Sequence, residues 1–164
     1  GDVLAGVAFQ RRLERDAFLL GGANYAAPIQ TVGDFLSDRR SQALGNVRPS
    51  YTGAVTLTNL REILPAYIAD ALADGIPALG RKLQGFDDPN AVLTGCETRS
   101  SSPVRILRQA DSLQSISCKG LYPIGEGAGY AGGIMSAAMD GMRAAERFIR
   151  GDASASAEAA CLPD

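Results

Sequence analysis

Histidine and tryptophan are both absent from the 164 residues, and cysteine occurs three times. Each shortage excludes a chemistry. Without imidazole there is no triad or dyad built on a histidine general base. Proton transfer by this chain falls to a carboxylate, a tyrosine, a lysine or water. Cys96, Cys118 and Cys161 stand far apart with no CxxC pair, so no zinc or other metal site is expected. An odd cysteine number and no export signal point to a reducing, cytoplasmic setting. The three cysteines read as small thiols, buried or in the tail. Cys118 reads as inert even though its neighbour Lys119 is a cation that favours thiolate. Ten phenylalanine and tyrosine residues, without tryptophan, give no platform for stacking bases. Sixteen Lys and Arg against eighteen Asp and Glu leave a net charge of -2, so no basic excess exists to neutralise a phosphate backbone. The Arg11-Arg12 and Arg39-Arg40 pairs read as solvated faces. No apolar run approaches the ~20 residues of a membrane helix. Neither nucleic acid nor membrane is an expected partner.

What is present is the composition of a soluble globular chain, 46% apolar and 21% charged. It begins Gly1-Asp2-Val3 without an initiator Met, which reads as a processed chain or a piece of a longer one. Phe9, Leu13, Ala17 and Leu20 fall at helical spacing and predict a helix over Leu4 to Leu20, stopped by Gly21-Gly22. From Ala23 to Gly53 the signals are mixed and suggest connecting structure, with a short helical turn near Asp34-Phe35-Leu36. Thr56 to Gly85 reads as helical. Asn59 and Glu62 have capping-box spacing, Pro65 lies near the start, and Gly75 and Pro77 break the segment before a second helix to about Leu83. Ala91 to Thr94 and Val104 to Arg108 look like strands. Leu113 to Cys118 alternates less cleanly. Ile134, Ala137, Ala138, Gly141, Met142, Ala145, Phe148 and Ile149 mark the clearest helix, with Arg143, Arg147 and Arg150 in its C-terminal half and Gly151 as its stop. Asp152 to Asp164 reads as a disordered tail.

Between a short apolar run, Leu121 to Ile124, and that last helix lies Gly125-Glu126-Gly127-Ala128-Gly129-Tyr130-Ala131-Gly132-Gly133. Glycines let backbone approach a ligand, and a helix start offers unpaired N–H groups. Gly127 to Gly132 matches GxGxxG literally, but no strand ending in an acidic residue follows the helix, so this is not the primary ADP-binding unit of a dinucleotide fold. No lysine closes the stretch, so it is not a GxxxxGK[ST] phosphate loop. Glu126 remains as an acceptor for sugar-like hydroxyls beside exposed amides. Close packing of a tight crossover is the bland alternative, and nine residues so rich in glycine favour a ligand. Upstream, Glu97, Arg99, Ser100, Ser101, Ser102 and Arg105 are dense in polar groups. They fit either a solvated Ser-rich turn or an arginine clamp on a carboxylate or phosphate. Tyr130 covers a ligand or packs on the loop, with nothing to choose between them.

The string from Gly120 to Ala138 resembles the second flavin-binding motif near the C-terminus of FAD-dependent oxidoreductases. Gly95-Cys96-Glu97-Thr98-Arg99-Ser100-Ser101-Ser102-Pro103-Val104-Arg105 narrows the likeness to a group of bacterial FAD-dependent dehydrogenases, and Gly21 to Phe35 also resembles that group. The resemblance implies an α+β, helix-rich C-terminal part of a two-domain FAD-binding, Rossmann-like oxidoreductase with few strands and a long closing helix. Residues 1–94 would belong to an inserted substrate-side domain, 95–151 to the returning FAD-binding domain, and 152–164 to the tail. It implies FAD as cofactor, NAD(P)H as a candidate electron donor, an unknown small-molecule substrate, and an N-terminal half as partner. Its implied site is Gly125, Glu126, Gly127, Gly129, Gly132, Gly133 and Ile134. Glu126 would meet the ribityl hydroxyls, and the backbone of Gly132, Gly133 and Ile134 would face the flavin ring or pyrophosphate. Arg99 and Arg105 would contribute from upstream. A non-catalytic nucleotide- or phosphometabolite-binding module, and an interaction fragment docking through Ile134, Ala138, Met142 and Phe148, stand as alternatives.

Overall fold

The computed structural model describes residues 1–99 and 101–150. It is α+β, with four helices and one small sheet among the described residues. The expectations for Ser100, for Gly151 as helix stop, and for the tail lie outside those residues. The chain divides into two units. One is Phe9–Thr98, and the other gathers Gly1–Ala8 with the stretch from Arg99 onward.

Helix α1 (Ala5–Leu20), which from Phe9 on belongs to the first unit, buries Leu13 and Ala17 on one face, as its spacing predicts. The helix ends where Gly22 adopts φ +104°, a left-handed stop that glycine allows. Gly21 is required for a second reason: a Cβ there would meet the Ala26 carbonyl oxygen. The sheet runs β2–β1–β3. Strand β1 (Ala27–Thr31) pairs parallel with β2 (Val55–Leu57), Ile29 opposite Leu57, and antiparallel with β3 (Val92–Thr94), Ile29 opposite Thr94. The stretch holding β1 carried mixed signals because Pro28 and Gln30 break the apolar alternation. Both are accommodated. Pro28 lends its carbonyl to the Gly95 N–H at 3.0 Å. Gln30, fully buried, donates to the Arg39 carbonyl and the Asn59 amide oxygen and accepts from the Leu60 N–H at 2.8 Å.

The sheet hands directly to α2 (Val32–Leu36), capped by Thr31. Asp34 accepts from Thr31 Oγ1, Ser41 Oγ and Arg39 Nε. The Ser41 hydroxyl first, and then the Arg39 guanidinium, hold the Asp34 carboxyl below its usual range against the opposing effect of burial. The helix expected from Thr56 begins later, because Thr56 and Leu57 are spent in β2. Asn59 caps a 3-10 turn, Leu60–Glu62, with its side chain accepting from the Arg61 N–H at 3.1 Å. Helix α3 (Ala66–Gly80) starts at Pro65 and runs unbroken through Gly75 and Pro77. Val32, Phe35, Leu60 and Ile76 form the core, with Leu20, Ile63, Leu64, Ala73, Ala91 and Leu93 packed around them.

In the second unit, Val104 to Arg108 forms no strand. A single antiparallel bridge joins Arg108 to Ser115. Its regular element is α4 (Ile134–Ile149), whose bounds coincide with the predicted apolar periodicity. Cys96, in the first unit, is a free thiol that burial pushes up in pKa. Cys118 is disulfide-bonded, which corrects the expectation of an inert thiol there.

Candidate functional site

The glycine segment folds as a tight bend before α4. Gly125 takes φ +70° and Gly129 φ +80°. The Gly129 N–H donates to the Glu126 carbonyl at 2.9 Å and the Tyr130 N–H to the Gly125 carbonyl at 3.0 Å, closing the turn. Gly129 is demanded by the chain itself, since a Cβ would lie 2.5 Å from the Val104 carbonyl oxygen. Gly127 differs. It is exposed, and a Cβ there would meet nothing within 4 Å. At Gly132 the same atom would meet only Ser101 Oγ, at 3.9 Å, and at Gly133 only Ser136 Oγ, at 3.6 Å. These three leave bare backbone facing open space. Ser136 closes the helix start by accepting from the Gly133 N–H at 3.1 Å. Ile134, 90% exposed, opens the helix. Glu126 is half-buried in the same bend. Backbone amides, an acceptor carboxylate and no obstructing side chain form a donor and acceptor set suited to a polyhydroxyl chain or a heterocycle edge. The residues therefore fit the flavin that the resemblance implies.

What fixes the bend is an ion pair that sequence reading did not single out. Arg108 grips Asp140 bidentately, Nη1 to Oδ2 at 2.8 Å and Nη2 to Oδ1 at 2.7 Å, and Nη1 also donates to the Pro123 carbonyl. The side chains are 10% and 9% exposed. Asp140 Oδ2 accepts from the Gly125 N–H as well, at 2.9 Å. Arg108 chiefly, with help from Gly125, lowers the Asp140 pKa although burial opposes it. No local pattern marks the pair: Asp140 stands off the apolar stripe of α4, and Arg108 lies 32 residues away.

Arg105 lies along the bend, donating through Nε to the Gly129 carbonyl at 2.9 Å. Its guanidinium carbon sits 4.9 Å from the Tyr130 ring centre, and that of Arg108 only 3.6 Å away. Tyr130 thus packs on two arginines as well as on the loop. Ser101, Ser102, Arg105, Gly129, Tyr130, Ala131 and Gly132 line a cavity of about 270 Å³. Arg99 is not among its lining residues, whereas Arg105 is. A larger cavity of about 370 Å³ adjoins the C-terminal half of α4 at Arg143, Arg147 and Arg150. There the arginines answer the negative end of the helix, as their positions predict.

A family model described as "FAD-dependent protein, C-terminal domain-like" matches residues 1–100. An uncharacterized protein of Clostridium beijerinckii (strain ATCC 51743 / NCIMB 8052) is 54% identical over 146 residues, which is 89% of this chain and 27% of that protein. The chain thus spans about a quarter of the length of that relative.

Proposed function

The chain belongs to the FAD-dependent protein C-terminal domain-like family, and from that premise we propose that it supplies the flavin-proximal bend and closing helix of an FAD-dependent oxidoreductase. The observation that carries the reading is the open backbone at Gly127, Gly132 and Gly133, beside Glu126 and ahead of a helix. In this role the Glu126 carboxylate accepts hydrogen bonds from the ribityl hydroxyls. The amide of Ile134 donates to the ring edge or pyrophosphate, with the bare backbone of Gly132 and Gly133 leading to it. Gly127 and Gly133 admit the ligand by lacking a side chain. A bound flavin supplies the two-electron redox chemistry, and the protein supplies position and electrostatics.

Helix α4 supports the same reading. Ile134, Met135, Met142, Phe148 and Ile149 are exposed along it, a face of the kind that another layer covers. In the proposed arrangement that layer is the sheet of a Rossmann-like domain from the rest of the longer protein. Residues 1–94 are assigned to its substrate-side domain and 95–151 to the returning FAD-binding domain.

The test is an absorption and fluorescence titration of the purified chain with FAD, alone and mixed with the upstream portion of the longer protein. Perturbed flavin bands and quenched fluorescence are expected on mixing. Gly133→Val should abolish them. Its extended backbone (φ -157°) accepts valine without strain, so any loss reports ligand approach. Equal flavin retention by variant and parent would reject the reading.

A further inference from the structure

The cavity beside the bend has a one-sided chemistry. Its lining contains one cation, Arg105, and no carboxylate. Of the two guanidiniums at Tyr130, Arg108 is spent on Asp140 and Pro123, whereas Arg105 commits only Nε, to Gly129. Among the described residues both Nη groups of Arg105 have no hydrogen-bond partner and remain for a guest. The amides of Ala131 and Gly132 donate to no group among the described residues. At about 270 Å³ the space lies just under the range of pockets for drug-sized ligands, roughly 300–1,000 Å³.

We propose that this cavity binds the carboxylate of a small acid, held by the Nη groups of Arg105 and the amides of Ala131 and Gly132. A planar guanidinium fork matches a carboxylate bidentately, and a single positive charge balances a monoanion rather than a doubly charged phosphate. Assigning that acid as the substrate of the oxidoreductase rests on the proposed function. The anion site itself does not.

The experiment is an amide and guanidinium NMR titration of the chain with sodium acetate, inorganic phosphate and sodium chloride. Acetate should shift Arg105 Nε–H, Ala131 and Gly132 saturably, while chloride at equal ionic strength should not. Arg105→Gln should weaken acetate at least tenfold with a spectrum still dispersed as for a folded chain. Gly132→Ala should also weaken it. A methyl there has only Ser101 Oγ near it, so the fold is undisturbed and the cavity is reduced. Shifts that do not saturate, that chloride reproduces, or that survive Arg105→Gln would overturn the site. Phosphate binding ten times more tightly than acetate would overturn the carboxylate and point to a phosphate of the cofactor. An FAD titration of the same parent sample, with and without the upstream portion, keeps the two proposals separate: failure there rejects the flavin reading and leaves the anion site standing.

Discussion

Asp140 is one carboxylate with three donors, and its removal leaves Arg108 buried without a counter-charge. Asp140→Asn should therefore cost about 3 kcal/mol in urea unfolding. The joint replacement Arg108→Met with Asp140→Leu should cost clearly less, because no unpaired charge stays behind. The folded pKa of Asp140 is depressed, so its contribution is fully present above the unfolded value near 3.8 and is lost as pH falls through the lower folded value. Asp34 behaves the same way, held by Ser41 and Arg39. Unfolding midpoints measured across the acid range should fall steeply below about pH 4 and flatten in Asp140→Asn. Glycines separate by what stands next to them. Gly129→Ala meets the Val104 carbonyl at a left-handed φ and should destabilise by more than about 1 kcal/mol. Gly127→Ala meets nothing and should stay within about 0.5 kcal/mol of the parent.

Helix α3 carries Pro77 in its interior, where the residue withholds an N–H from the Ala73 carbonyl. Pro77→Ala should raise the urea midpoint by the equivalent of on the order of 1–3 kcal/mol with an unchanged slope. A proline and a glycine two residues apart read as a break, yet burial of Ala69 and Ile76 on one face carries the helix past them. Tertiary packing outweighed propensity there, and it did so in the opposite sense at Val104 to Arg108. Among the described residues that alternating run pairs only through the Arg108–Ser115 bridge and so forms no ladder. Strand β1 escaped reading because its central polar residue, Gln30, satisfies three partners from distant segments, which no local window contains. Helix α4 was legible to its last residue, since its apolar periodicity is strong and uninterrupted. The bend was legible as bare backbone, but its anchor was not. Arg108 and Asp140 are 32 residues apart, and only folding joins them.

At the scale of the molecule the two units hold different kinds of interior. Phe9–Thr98 has an apolar centre around Phe35, and Phe35→Ala should cost about 3–5 kcal/mol. Among its described residues the unit from Arg99 onward buries few apolar side chains and leans on its ion pair, while α4 leaves Ile134 and Ile149 90% and 81% exposed. The chain alone should therefore brighten an apolar dye. Ile134→Ser with Ile149→Ser should cut that signal by more than half without moving the unfolding midpoint. A full signal in the double variant would show that the dye reads another surface.

The Asp140 carboxylate grips the loop at Gly125 and the upstream segment at Arg108 from within a rigid rod. Those three parts share a single rivet, so losing that one carboxylate frees loop, segment and rod together.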